Sequence, residues 1–138
     1  MTLVDTNVLL DLATDDPKWA RWCLRQLDAA AMRGPVVINA IVYAEFSIGY
    51  TRIEDVDRVL AGGRVELIEV PRAALFLAGK VFQRYRARGG SRTGVLPDFF
   101  IGAHAAVAQL PLLTRDPSRY RRYFSGIALI TPDDAEPT

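Results

Sequence analysis

The chain has 138 residues, half of them apolar and 24% charged with both signs well represented, a balance that excludes disordered and fibrous classes. No apolar run reaches membrane-spanning length, so a cytoplasmic protein without membrane association is expected. The net charge of +1 carries no global signature of a nucleic-acid binder, and any such role must rest on local patterning.

A single domain over residues 1–138 is expected, with a polar C-terminal tail over 132–138. Leu3-Val4 followed by Asp5-Thr6-Asn7 reads as a short buried strand ending in a turn, which leads into a helix over 7–13. Asp15-Asp16-Pro17 starts a helix running from about 18 to 33, with Trp19, Cys23, Leu24, Leu27 and Ala31 on its inner face. Gly34-Pro35 stops it, Val36-Val37-Ile38 forms a second strand, and 41–46 has helical composition. Thr51-Arg52-Ile53-Glu54 has the capping-box pattern, opening a helix that Gly62-Gly63 ends. Residues 65–70 alternate as a strand exposed on one face would, at the sheet edge.

Pro71 opens a long helix through Ala74, Leu77, Ala78, Val81, Phe82 and Tyr85, and a Gly/Ser/Arg loop follows. Residues 98–109 form an alanine-rich helix expected to be almost wholly buried. A strand over 112–114, a short helix over 117–124 and a last strand over 127–130 complete the chain. This alternation predicts a three-layer α/β/α sandwich around a parallel sheet of about five strands.

The informative feature is where acids are missing. Between Asp28 and Glu54 the only carboxylate is Glu45, and between Glu69 and Asp116 the only one is Asp98. Asp5 and Asp116 each follow a predicted strand, at the sheet edge where ligands bind in open α/β folds. Burying an isolated ionised carboxylate is costly unless it is paired or binds a cation. Four such acids point to a shared site for Mg²⁺ or Mn²⁺, which prefer oxygen ligands, and to in-line hydrolysis of a phosphodiester. Thr6, Asn7 and Thr114 supply neutral polar groups beside the acids. The competing reading is helix capping: Asp5 precedes a helix, Asp98 stands at a helix start, and Asp116 precedes Pro117. Glu45 has no capping role. Asp11, Asp15, Asp16, Asp28, Asp55 and Asp57 read as solvated faces or caps. Cys23 is the only cysteine and reads as a small core residue, which leaves no disulfide or thiolate cluster. His104, the only histidine, lies six residues beyond Asp98 on another helical face, so Ser-His-Asp and Cys-His catalysis are excluded.

Leu3-Val4-Asp5-Thr6-Asn7-Val8-Leu9, Glu45 with Gly49 four residues on, Asp98 within the run 97–105, and Leu113-Thr114-Arg115-Asp116 together resemble the PIN-domain family. The length resembles its VapC-type toxin ribonucleases, and the resemblance extends from Leu3 to about Pro132. It implies a sheet ordered 3-2-1-4-5, a Mg²⁺- or Mn²⁺-dependent endoribonuclease acting as the toxin of a type II toxin–antitoxin pair, a homodimer, and a cognate antitoxin that occludes the site. By position it implies an acidic quartet of Asp5, Glu45, Asp98 and Asp116, with Thr114 as a supporting hydroxyl. Gly102 and His104 stand where the family often has alanine, which implies different helix packing.

Arg84, Arg86, Arg88 and Arg92 surround Gly89-Gly90-Ser91, and Arg115 precedes the last acid. Arg86, Arg88, Arg92 and Arg115 are candidates to hold RNA phosphates, for which arginine's fork-shaped hydrogen bonding is suited. The alternative is that arginines at a helix C-terminus complement its dipole. Three rival functions would each leave a different mark. A non-catalytic PIN-like module binding RNA or a partner would be marked by loss of an acid. A receiver-like domain would have an acidic pair after the first strand and a late lysine, and a haloacid-dehalogenase phosphatase would have Asp-x-Asp where this chain has Asp5-Thr6-Asn7.

Overall fold

The computed structural model describes residues 1–132, and the remainder of the expected polar tail, 133–138, lies outside them. Its centre is β1 (Thr2–Val4), whose three residues are buried because the strand is flanked on both edges and covered on both faces. Leu3 pairs with Val37 of β2 (Val36–Ile38) on one side and with Leu112 of β4 (Leu112–Leu113) on the other. β3 (Val65–Leu67) and β5 (Leu129–Ile130) form the edges, giving an all-parallel sheet in the order β3-β2-β1-β4-β5. This is the expected order, with the half-exposed 65–70 segment at an edge.

Seven helices connect the strands: α1 (Thr6–Ala13), α2 (Ala20–Arg33), α3 (Ala40–Ser47), α4 (Ile53–Gly62), α5 (Arg72–Ala87), α6 (Leu96–Ala108) and α7 (Ser118–Tyr123). α1 packs on α2 and α3, and α5 packs along α6. Among the described residues no helix is long and apolar enough to cross a membrane.

Three local expectations are corrected. In α2 the buried face is Trp22, Cys23 and Ala30 with Leu27 partly covered, whereas Leu24 is 53% exposed and Ala31 is exposed as well. A strict four-residue ladder from Trp19 drifts about 40° at each step, so the core contact returns to Ala30 by a three-residue step. The capping box at Thr51 does not form: α4 starts after Arg52 without a side-chain cap, and Glu54 pairs with Arg52 at 3.4 Å. Asp11, read as a solvated acid, is 6% exposed and ion-paired with Arg115. Arg115 also lies over the Trp19 ring, 5.6 Å from its centroid.

A buried polar link fixes α3 against α6. Asn39 caps α3 by accepting from the Ile41 and Val42 amides at 3.0 and 3.1 Å, and its amide nitrogen lies 3.1 Å from Nδ1 of His104. Both side chains are essentially sealed from solvent. Burial lowers the His104 pKa. The neutral ring, with Nδ1 accepting, satisfies the pair. The helices so joined carry Glu45 and Asp98.

Candidate active site

Asp5 leaves β1 in extended conformation, and its amide donates to the Leu113 carbonyl at 2.9 Å, continuing the sheet ladder. One carboxylate oxygen caps α1 by accepting from the Thr6 amide at 2.7 Å. The other accepts from the Thr114 hydroxyl at 2.8 Å, the Tyr120 hydroxyl at 2.9 Å and the Asn7 amide at 3.4 Å. The two sequence readings of Asp5 are therefore compatible, since one oxygen caps while the other is held in a polar network. Burial first, and the charge of Asp98 second, push its carboxyl up to about 6, against the lowering effect of these donors.

Thr114 is fully buried at the exit of β4 and joins the two strand tips. Its hydroxyl donates to Asp5 and accepts from Asn7 at 3.2 Å and from the Asp116 amide at 3.1 Å. Asn7 in turn accepts from the Arg115 amide at 3.3 Å. Thr6 donates its hydroxyl to Glu45 at 2.6 Å, which ties α1 to α3.

The capping alternative is not realised at Asp98 or Asp116. α6 begins after Val95 and α7 after Pro117, each without a side-chain cap. The Asp98 carboxylate is engaged instead by Arg119 of α7. Burial raises the Asp98 pKa, Arg119 opposes the rise, and the charge of Asp116 adds to it. Asp116 itself is exposed.

Asp5, Thr6, Asn7, Leu10, Glu45, Ile48, Asp98 and Asp116 line one cavity of about 330 Å³, so the four acids singled out in the sequence share it. Its polar lining consists of oxygen donors with a single amide, a set that suits a hard divalent cation. Among the described residues no three His, Cys, Asp or Glu side chains are grouped to hold an ion as they stand. The arrangement therefore fits an ion held by one or two carboxylates with water rather than a closed protein cage. Asp5 and Asp98, whose charges oppose each other across the cavity, could hold such an ion.

Sequence reasoning missed Tyr120 and Arg119. No local signal marks them, because their partners Asp5 and Asp98 lie 115 and 21 positions away. Of the candidate phosphate-binding arginines, Arg115 is ion-paired with Asp11, whose buried carboxylate requires a partner. Arg86 lies 5.8 Å from the Phe82 ring centroid, Arg88 follows the end of α5, and Arg92 lines a separate cleft beside α7. Cys23 is sealed in the core, where burial and the neighbouring Asp11 push its thiol up to about 12, so it offers no thiolate nucleophile.

The fold resembles those of several toxin–antitoxin structures. VapBC2 from Rickettsia felis, bound to a DNA fragment from its promoter, is 21% identical with a TM-score of 0.73, covering 96% of this chain and 98% of the other. A toxin–antitoxin complex from Klebsiella pneumoniae is 26% identical with a TM-score of 0.65, over 96% and 98% of the two chains. DNA-bound VapBC from Salmonella typhimurium is 20% identical with a TM-score of 0.68, over 95% and 98%. Among curated proteins no sequence matches. The PIN domain profile matches residues 2–124, a span that contains all four acids, Thr114 and Tyr120, and the chain accordingly belongs to the PIN domain family, whose members are typically nucleases.

Proposed function

We propose that this single-domain protein is a Mg²⁺- or Mn²⁺-dependent endoribonuclease and the toxin component of a toxin–antitoxin pair. The observation that carries this reading is the meeting of Asp5, Glu45, Asp98 and Asp116 in one cavity, where burial first and the charge of Asp98 second raise the pKa of Asp5. Asp5 and Asp98 would hold the ion, with Asp116 and Glu45 beside them. When bound, the ion supplies an activated water and offsets charge on the phosphodiester. The chain's own residues set the geometry. Thr114 and Tyr120 fix the orientation of Asp5 through one of its oxygens. Thr6 holds Glu45, and Arg119 places a positive charge at the cavity wall.

The partners follow from the same reading: an RNA substrate, a cognate antitoxin, a second copy of the chain in a homodimer, and a cytoplasmic setting. A PIN-like module that binds without cutting is the second reading, and the Arg119–Asp98 ion pair favours it because it occupies a ligand carboxylate.

Incubating the purified protein with total RNA in Mg²⁺, Mn²⁺ or EDTA and mapping new RNA ends separates the two. Metal-dependent ends, lost in a folded Asp98→Asn variant, are expected. Identical ends in EDTA, or undiminished cutting by Asp98→Asn, would defeat the nuclease reading.

A further inference from the structure

Beside the acidic cavity lies a second cleft of about 280 Å³, between the end of α5, the loop after it and α7. Tyr85, Arg92, Ser118, Arg119, Arg122 and Tyr123 line its polar and aromatic walls. Its character is opposite to that of its neighbour. Three arginines face it, and only Arg119 has a carboxylate partner among the described residues, Asp98 of the acidic cavity. The two cavities thus meet at one ion pair.

The aromatic part of the cleft is a packed cluster. Tyr85 and Tyr123 stand edge to face with ring centroids 6.2 Å apart, and both pack edge-on to Phe99, at 5.6 and 5.1 Å. Phe99 is fully buried and directly follows Asp98, so the same turn of α6 sets the acid and the rings. The loop is pinned to this cluster. The Tyr85 hydroxyl accepts from the Arg92 amide at 3.1 Å, and a Cβ at Gly90 would fall 2.5 Å from the Tyr85 ring, so only glycine allows so close an approach. The Arg92 backbone is therefore tied to a residue that builds the cleft, with its exposed side chain at the rim.

We propose that this cleft is the subsite for the nucleotide next to the scissile phosphodiester of a single-stranded RNA. Its phosphate sits on Arg92 and Arg122, and its base lies against the tyrosine pair. The assignment rests on the nuclease reading of the adjoining cavity. Arg92 and Arg122, without carboxylate partners among the described residues, supply the phosphate contact, and the half-buried tyrosines, Tyr123 with the Arg122 guanidinium 5.5 Å from its ring centroid, offer a surface on which a base can stack. A base inside a duplex cannot reach such a ring, which selects an unpaired strand.

The test uses a short fluorescein-labelled oligouridylate in EDTA, so that binding is read without cutting, across a salt series. The Arg92→Ala/Arg122→Ala double variant is expected to bind about tenfold more weakly, with the salt slope reduced by about 0.7, the loss of one single-strand phosphate contact. Tyr123→Ala is expected to weaken binding by about tenfold, the scale of one lost base stack. Arg122→Lys, which keeps the charge, should retain most of the affinity. An unchanged affinity and salt slope in a double variant that melts like the wild type would overturn the proposal. So would equal binding of a blunt RNA duplex, or displacement of the RNA by poly-L-glutamate at equal charge, which would make the cleft a site for acidic protein. Cleavage that persists in Asp98→Asn while the arginine variants lose affinity would defeat the metal-site assignment and leave the subsite standing.

Discussion

The Tyr120 hydroxyl donates to the Asp5 carboxylate at 2.9 Å across 115 positions of sequence, and it does so in a setting where burial keeps that carboxyl near 6. The sign of the consequence follows from linkage. The folded protein retains the Asp5 proton at pH values where the unfolded chain, with a carboxyl near 3.8, has lost it. Stability contributed by this group therefore falls as pH rises from about 4 to 6 and is level above, a loss of about 3 kcal/mol. Asn also caps helices well, so Asp5→Asn removes the titration while keeping the cap. In EDTA the variant should match the wild type near pH 4 and exceed it near pH 7 by urea unfolding. Parallel pH curves for the two proteins would show that Asp5 ionises freely in the fold.

Adding Mn²⁺ should reverse the ranking. An ion that binds only the folded state stabilises it by RT ln(1 + [L]/Kd), so the wild-type melting temperature should climb with metal while that of Asp5→Asn barely moves. Arg119→Ala should bind Mn²⁺ more tightly, by about fivefold, because the competing guanidinium is removed from Asp98 and the screened Coulomb contribution is about 1 kcal/mol. Calorimetric titration of the three proteins provides the measurement. Weaker binding in Arg119→Ala would indicate that Arg119 orients Asp98 for the ion instead of competing with it.

Arg115→Ala leaves the Asp11 carboxylate buried without its partner. Because Arg115 keeps 31% of its side chain in solvent, the expected loss is below that of a sealed pair, about 2 kcal/mol or about 8 °C in Tm. Asp11→Asn in the Arg115→Met background should recover most of it. A single Arg115→Ala variant as stable as the wild type, with weakened RNA affinity, would return Arg115 to the phosphate-binding set.

Much of this arrangement could be read from the sequence because two kinds of pattern are local. The apolar strands and the helical stripes follow chain periodicity, and Glu45 and Asp98 stand out because long acid-free stretches surround them. What escaped depends on distant partners. Tyr120 sits in a run of arginines and tyrosines that looks solvent-facing, and nothing nearby indicates that its hydroxyl reaches β1. Asp11 reads as one of a polar group until Arg115 is brought across to it. Asn39 directly follows Val36-Val37-Ile38 with no local mark of its role, although its side chain both caps α3 and meets His104. The inner face of α2 was misread for a geometric reason, the drift of a four-residue ladder around a 3.6-residue helix.

Gly102 gives a test in which two effects oppose each other. Alanine in a helix interior is normally favoured over glycine by about 1 kcal/mol. Here a Cβ would lie 2.5 Å from the buried Phe124 ring and 3.1 Å from Tyr120, so overpacking of about 2 kcal/mol should dominate. Gly102→Ala should be destabilised in urea and, by displacing Tyr120 from Asp5, should bind Mn²⁺ less well. A stabilised variant would mean that α7 moves aside without cost.

The central strand of the sheet is also the first to be synthesised, and this orders events during translation. β1 can pair with β2 early, but its other edge stays open until Leu112 and Leu113 arrive, and Asp5 lacks its last hydrogen-bond donor until Tyr120 has been added. Contacts of such long sequence separation form late and slowly. An incomplete chain therefore carries the first acid without the groups that orient it, and the hydrogen bonding around Asp5 is complete only once Tyr120 has been added. Under the proposed nuclease activity, this order would hold back cutting by a chain still on the ribosome.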